Sequence, residues 1–268
     1  YDYRDIDFSR KWKDGPSDLG FDFTYSLPQG IQGPPYIAFR NGLLDGNPDD
    51  LIEWEPGSYG NSVIPTKGFG FKQWDSSAAG PHLIHEATGF IDRHIKADTG
   101  KPFFMHYCTE SCHVPHTPPE RLSGKAVRGT AGDAHLDMLL EADVQLGMLV
   151  STLKAQGILE NTLILFTSDN GGLARGKPGN KLLGHNSNAP LRGSKATIWE
   201  GGHRIPLIAH WGDGTRTGST IPPAATSSAL VGLQDIFATL AELTGQTLRA
   251  QQGLDSQSFL PALLQQTP

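Results

Sequence analysis

A chain of 268 residues is long enough to bury a large core, as one big domain or two modest ones. Its 32 glycines and 19 prolines exceed the usual combined share of roughly 12% and fall between periodic segments, so long ordered loops over a layered core are expected. A net charge of -6 leaves no footprint for nucleic acid or an anionic membrane surface, and no apolar run approaches the roughly 20 residues that cross a bilayer.

Tyr1 to Gly80 is rich in Gly, Pro, Asp and aromatic residues with little periodicity. It reads as loops with short strands, Tyr36 to Phe39 being the best candidate, and Lys11-Trp12-Lys13 reads as a solvated loop with one anchoring aromatic. From Pro81 to Ala97, Leu83, Ile84, Ala87, Phe90, Ile91 and Ile95 recur at helical spacing, and Gly100 and Pro102 close the segment. His82, His85 and His94 in that helix read as surface or packing residues. Phe103 to Tyr107 follows as an apolar strand. It empties into a loop stiffened by Pro115, Pro118 and Pro119, which displays His113 and His116 at a strand end. Cys108 and Cys112 are too few for a disulfide framework, and their spacing suits either a small bridge or two free thiols. Asp133 is a plausible N-cap for a second helix reaching Gly157, with Leu136, Leu139, Leu140, Val144 and Met148 as its apolar stripe.

Thr162 to Thr167 reads as a buried strand that stops at Ser168-Asp169-Asn170-Gly171-Gly172. A carboxylate and a carboxamide at a strand end suit a hard cation held by oxygens, and the same residues suit an ordinary turn. Beyond a Gly-rich loop, Arg192 and Lys195 supply a planar fork and a point charge for an oxyanion, ahead of Glu200-Gly201-Gly202. Pro206 to Trp211 reads as a further strand. Ala229 to Thr244 reads as a helix with Leu230, Leu233, Ile236, Phe237, Leu240 and Leu243 inward. The alternation of strand and helix predicts an α/β fold with a mainly parallel or mixed central sheet covered by helices on both faces. Two imidazoles, two oxygen ligands and two cations are what ester hydrolysis at phosphate or sulfate beside a metal needs.

The segments PFFMHY and CHVPHTPP, GILENTLILFTSDNGG, and NAPLRGSKATIWEGGHRIP resemble, in order and spacing, successive signatures of the sulfatase family. DGPSDLGFDF, PPYIAF and GLDSQSFLPALL are weaker echoes. The resemblance implies an alkaline-phosphatase-like α/β fold and hydrolysis of sulfate monoesters, of a sulfated carbohydrate or an aryl sulfate, with bound calcium or the similar magnesium. It implies Asp169 and Asn170 as metal ligands, His113 as the sulfate-contacting proton donor and Lys195 as the sulfate clamp. His185 falls where relatives place a substrate-facing residue. Arg192 would brace the loop, Glu200 to Gly202 would shape a turn, and His116 would support His113.

The family's nucleophile, a formylglycine made from a Cys/Ser-x-Pro/Ala-x-Arg motif, has no match here. Neither Cys108, Cys112 nor Ser26 stands in that pattern, and the family's paired aspartates and Lys-Trp-His segment are also missing. The chain is therefore expected to be an internal piece of one catalytic domain, inactive alone, with a loop-rich part to residue 80, an α/β core over 81–245 and the start of a C-terminal region. A phosphatase or phosphodiesterase of the same superfamily and a non-catalytic binding module are the alternatives. Family resemblance places such a protein in the periplasm, outside the cell or in the lysosome. Substrate choice is expected to lie in the loops Tyr25 to Tyr59, Glu110 to Gly132 and Leu173 to Asn188.

Overall fold

The computed structural model describes residues 7–174 and 186–265. It divides into two compact units, the first comprising Tyr1–Thr152 with Gly172–Gly202, the second Leu153–Gly171 with His203–Pro268.

The loop-rich beginning of the first unit is held by small antiparallel ladders. Strands β1 (Tyr25–Ser26), β2 (Phe39–Arg40) and β3 (Leu43–Leu44) form one sheet. β4 (Leu51–Trp54) and β7 (Gly68–Phe71) form a second pair, and between them β5 (Gly57–Tyr59) and β6 (Ser62–Ile64) form a hairpin. Tyr36 anchors this region: it is fully buried, and its hydroxyl donates to the Thr66 carbonyl at 2.6 Å. The ring of Trp12 packs on Phe39 at 5.2 Å, as its reading as an anchor requires.

Helix α1 (Ala79–Lys96) matches the expected segment within two residues. Its buried stripe, Ile84, Ala87 and Ile91, follows the 3.6-residue period. Ile84 and Ala87 pack with Leu122, Val127 and Val144 into the main core, each large aliphatic contributing about 1.5–3 kcal/mol by leaving water. Leu122 ends β8 (Arg121–Leu122), Val127 follows its partner strand β9 (Lys125–Ala126), and Val144 comes from α2 (Ala134–Ala155). Asp133 caps α2 as expected, accepting from the Leu136 N–H at 2.8 Å. The stripe of α2 differs from expectation at Leu139, which is 51% exposed. Val144 is buried as expected, and Met138 and Leu153 are buried as well, alongside a polar line of Asp137, Glu141 and Gln145. Asp137 is buried because its carboxylate receives the backbone N–H groups of Gly129, Thr130 and Ala131, at 2.7, 3.0 and 2.7 Å.

Phe103 to Tyr107 joins no ladder among the described residues, contrary to the expected strand. It keeps a strand's alternation because side-chain packing holds it extended. Phe104 and His106 face out, Met105 and Tyr107 pack on the α1/α2 core, and Phe103 meets Phe90 edge-on at 5.8 Å.

In the second unit, β10 (Ile164–Thr167) pairs with β11 (Leu207–His210), in register from Ile164↔His210 to Thr167↔Leu207. The pairing is antiparallel, so the mainly parallel sheet is corrected: every strand pair among the described residues is antiparallel, and parallel pairing is confined there to the isolated bridge of Tyr36 to Gly70. A parallel pair needs a crossover that carries the chain back to the starting end. Here the chain leaves β10 at Thr167 and re-enters β11 beside it, with Thr167 Oγ1 donating to the Pro206 carbonyl at 2.9 Å. The four-residue α3 (Glu200–His203) lies within that excursion. Helix α4 (Asp235–Leu243) begins six residues later than expected, and Leu230, Leu233 and Phe237 are exposed. Asp235 sets the start: its carboxylate holds the Gly232 N–H at 2.7 Å in a turn and the Gln257 N–H at 2.8 Å. α5 (Leu260–Leu263) follows, tied to α4 where the Phe259 N–H donates to Thr239 Oγ1 at 3.0 Å.

Candidate active site

His113 sits half-buried on the loop beyond Phe103–Tyr107, its N–H donating to the Glu110 carbonyl at 3.2 Å. Its Nδ1 lies 2.9 Å from the Val114 carbonyl. A carbonyl only accepts, so Nδ1 carries the hydrogen and Nε2 is the nitrogen presented to a ligand. Pro115, Pro118 and Pro119 are buried and fix the loop. His116 does not share the role of His113: its Nε2 lies 3.2 Å from Nδ1 of His135, and burial, with His135 adding to it, lowers its pKa. It is a neutral brace for the loop.

Both cysteines are free thiols. Burial pushes the Cys112 thiol up to about 11, with Glu141 and Glu110 contributing, so it stays protonated and is a poor nucleophile at neutral pH.

Two carboxyl groups that were not among the expected site residues, Glu110 and Glu141, come together at Gly80. Burial raises Glu110 to about 7 and, reinforced by Glu110, raises Glu141 to about 8. Gln145 Nε2 donates to Glu141 Oε1 at 3.1 Å, and Gln145 Oε1 accepts from the Tyr107 and Thr109 hydroxyls at 2.8 and 2.7 Å. Gly80 makes the room. A Cβ there would stand 2.0 Å from Glu141 Oε1, 2.3 Å from Glu110 Oε1 and 2.6 Å from Gln145 Nε2. The signal for this cluster was the recurrence of Asp137, Glu141 and Gln145 every four residues, which puts them on one helix face. In front of His113, the turn Pro28–Gln32 closes a cavity of about 300 Å³ that Glu110 and His113 also line.

Lys195 is half-buried in the same unit, and its N–H donates to the Gly172 carbonyl at 2.9 Å. Asn188 Nδ2 donates to the Gly172 and Leu173 carbonyls at 3.1 and 3.2 Å, so the returning loop is fastened at two points. The Arg192 guanidinium lies 3.5 Å over the Trp199 ring, and the Gly201 N–H donates to the Arg192 carbonyl. Arg192 thus braces the loop and Glu200 to Gly202 turn it, as expected. A Cβ at Gly202 would fall 2.1 Å from the Thr197 carbonyl oxygen, so only glycine fits that turn.

Asp169 and Asn170 belong to the second unit, at the end of β10. Asp169 is exposed. Ser168 Oγ donates to the Asn170 carbonyl at 2.9 Å, and Asn170 Nδ2 donates to the Gly171 carbonyl at 3.1 Å, which leaves Oδ1 of Asn170 as an acceptor. Two oxygen donors on adjacent residues, with no other partner shown among the described residues, fit a hard cation. Among the described residues no group of three or more His, Cys, Asp or Glu side chains gathers as a metal cluster. His185 lies outside the described residues.

The sulfatase family profile matches residues 10–246, a span that takes in both units and every one of these side chains. The chain belongs to the sulfatase family. An N-acetylgalactosamine-6-O-sulfatase of Bacteroides thetaiotaomicron is 29% identical over 292 aligned positions, covering 96% of this chain and 54% of its own length. The N-acetylgalactosamine-6-sulfatase of Sus scrofa is 34% identical over 182 positions, 68% of this chain and 32% of its own. A protein solved in work on the metabolism of multiple glycosaminoglycans by Bacteroides thetaiotaomicron matches with a TM-score of 0.81 at 25% identity, over 97% of this chain and 58% of its own. The fold is therefore a sulfatase fold, and the chain spans little more than half the length of these relatives, or less.

Proposed function

We propose that this sulfatase chain serves the hydrolysis of sulfate monoesters of carbohydrates, sulfated amino sugars of the glycosaminoglycan type foremost. The observation that carries the reading is His113, fixed by Val114 at the mouth of a cavity, on the loop that bears the family's His-x-Pro pattern. The names of the relatives support the sugar class. The family match across both units supports one catalytic domain over residues 1–268.

In this reading Lys195 neutralises a sulfate oxygen and holds the charge that develops as the ester bond breaks. His113 acts in its doubly protonated form: Nδ1–H stays on the Val114 carbonyl while Nε2 gives its proton to the leaving alcohol oxygen and is left neutral. Asp169 and Asn170 would hold a calcium ion, which would supply Lewis-acid polarisation of the ester. His185 contributes to substrate contact. The nucleophile is a formylglycine that no residue of this chain supplies, since Cys112 is a protonated thiol outside the required motif. The 268 residues by themselves are accordingly proposed to release no sulfate.

The test is sulfate release by the natural gene product from N-acetylgalactosamine 6-sulfate and from an aryl sulfate, beside the matching phosphate esters. Release of sulfate ahead of phosphate, lost in Lys195→Ala, is the expected result. Faster release of phosphate, or none of either, sinks it.

A further inference from the structure

The cavity between the turn Pro28–Gln32 and His113 has one feature that hydrolysis of the sulfate does not use. Glu110 lines it, and among the described residues its Oε2 is buried without a hydrogen-bond partner. A carboxyl oxygen buried in this way is destabilising by about 1–3 kcal/mol; it has no surface open to solvent in the unliganded chain, and a group in the cavity pairs with it once the carboxyl turns toward the cavity. The other oxygen, Oε1, stands against Gly80 next to Glu141 Oε1. The neighbours on this side are Glu141 from α2, Tyr107 and Cys112 from the extended segment and loop, and His113 itself.

We propose that Glu110 is a specificity-determining residue, which hydrogen-bonds a ring hydroxyl of the sugar whose sulfate is presented to His113. This rests on the sulfatase reading above. The chemistry favours a hydroxyl over a cationic or anionic group. A cation would be matched by a carboxylate, yet burial holds Glu110 toward its protonated form, and burial with Glu110 does the same to Glu141. An anion would meet no positive partner from Glu110. A hydroxyl both donates and accepts, as a carboxyl that keeps its proton near neutral pH also does. The exposed carboxamides of Gln29 and Gln32 on the facing turn add further groups of the same kind. The cavity also joins two of the loops in which substrate choice was expected, Tyr25 to Tyr59 and Glu110 to Gly132.

The experiment compares kcat/KM for N-acetylgalactosamine 6-sulfate with kcat/KM for 4-nitrophenyl sulfate, which has no ring hydroxyl, in the natural gene product. The sugar-to-aryl ratio is expected to fall about 30-fold in Glu110→Leu and about fivefold in the isosteric Glu110→Gln, mainly through KM for the sugar. If Glu110→Leu does not fold, Glu110→Gln alone decides. A ratio within twofold of wild type in a folded variant, with both substrates slowed alike or neither affected, overturns the subsite and leaves the sulfatase reading standing. A wild type that hydrolyses neither substrate overturns both.

Discussion

Replacing Glu141 by Gln tests whether the buried acid cluster is as costly as its surroundings imply. Glu141 is 1% exposed and its carboxyl is held at about 8, against 4.5 for the ordinary side chain. Because the folded-state value is raised, the stability tied to this proton is present in full below about pH 4.5 and has gone once the pH passes about 8. Between those limits each pH unit corresponds to at most about 1.4 kcal/mol, which gives an upper bound of about 5 kcal/mol. Relaxation and water entry around an ionised group reduce this, and about 2 kcal/mol is the expected loss. Gln at this position cannot ionise, and its carbonyl oxygen still accepts from Gln145 Nε2. Thermal unfolding followed by circular dichroism at about pH 5 and pH 8.5 measures the difference. Glu141→Gln should lose less stability than wild type between the two, by about 4–8 °C in Tm for a chain of this size. Parallel losses in the two proteins would refute the reasoning.

Gly80→Ala is expected to destabilise by about 3 kcal/mol, although Gly to Ala in a helix ordinarily stabilises by up to about 1 kcal/mol, because the new methyl would overlap both carboxyl groups. The midpoint of urea unfolding reports it. If Lys195 holds the sulfate as proposed, Lys195→Ala in the natural gene product should lower kcat/KM for sulfate release by about 10²–10³, and by the same factor for sugar and aryl substrates. Asp169→Ala should abolish the calcium dependence of activity, read by titrating the metal back after chelation, while leaving the unfolding midpoint of the metal-free protein within about 0.5 kcal/mol because the side chain is exposed.

Helix α1 was legible because its apolar residues keep the helical period and Gly100 and Pro102 end it, and the start of α2 was legible in Asp133. β10 and β11 were legible as apolar runs, but the direction of their pairing was not. That depends on the end at which the chain returns, which local pattern does not encode. Phe103 to Tyr107 shows the same limit: alternation fixes which side chains face inward, and says nothing of whether a neighbouring strand is there to pair. The late start of α4 turns on one carboxylate holding one N–H at Gly232, a contact that Leu230 and Leu233 mask by continuing the apolar count. Of the candidate site, His113, Asp169 and Asn170 were legible as polar residues following apolar segments, and Lys195 was legible through the resemblance of its loop to a family signature. Glu110 and Glu141 were not, since counting only the leucines of α2 turns its acidic face toward solvent.

Glu110, Glu141, Tyr107 and Cys112 all have their pKa values raised with burial as the leading cause, and they form one patch that is polar yet largely uncharged at neutral pH. This bears on how an acidic side chain can stand beside a sulfate site at all. An ionised carboxylate facing an anionic ester would repel it, whereas a protonated one can bind the sugar hydroxyl and leave the negative charge to Lys195. The raised value near 7 then sets a working limit. As the pH rises through about 7 the Glu110 carboxyl ionises, with the raised value of Glu141 keeping its neighbour neutral until about 8. KM for a sulfated sugar should therefore climb more steeply between about pH 6.5 and 8 in the wild type than in Glu110→Gln. His113 and the ester chemistry affect both proteins alike and cancel in the comparison. A wild-type KM that does not change over that interval would show that Glu110 carries no proton relevant to the bound sugar.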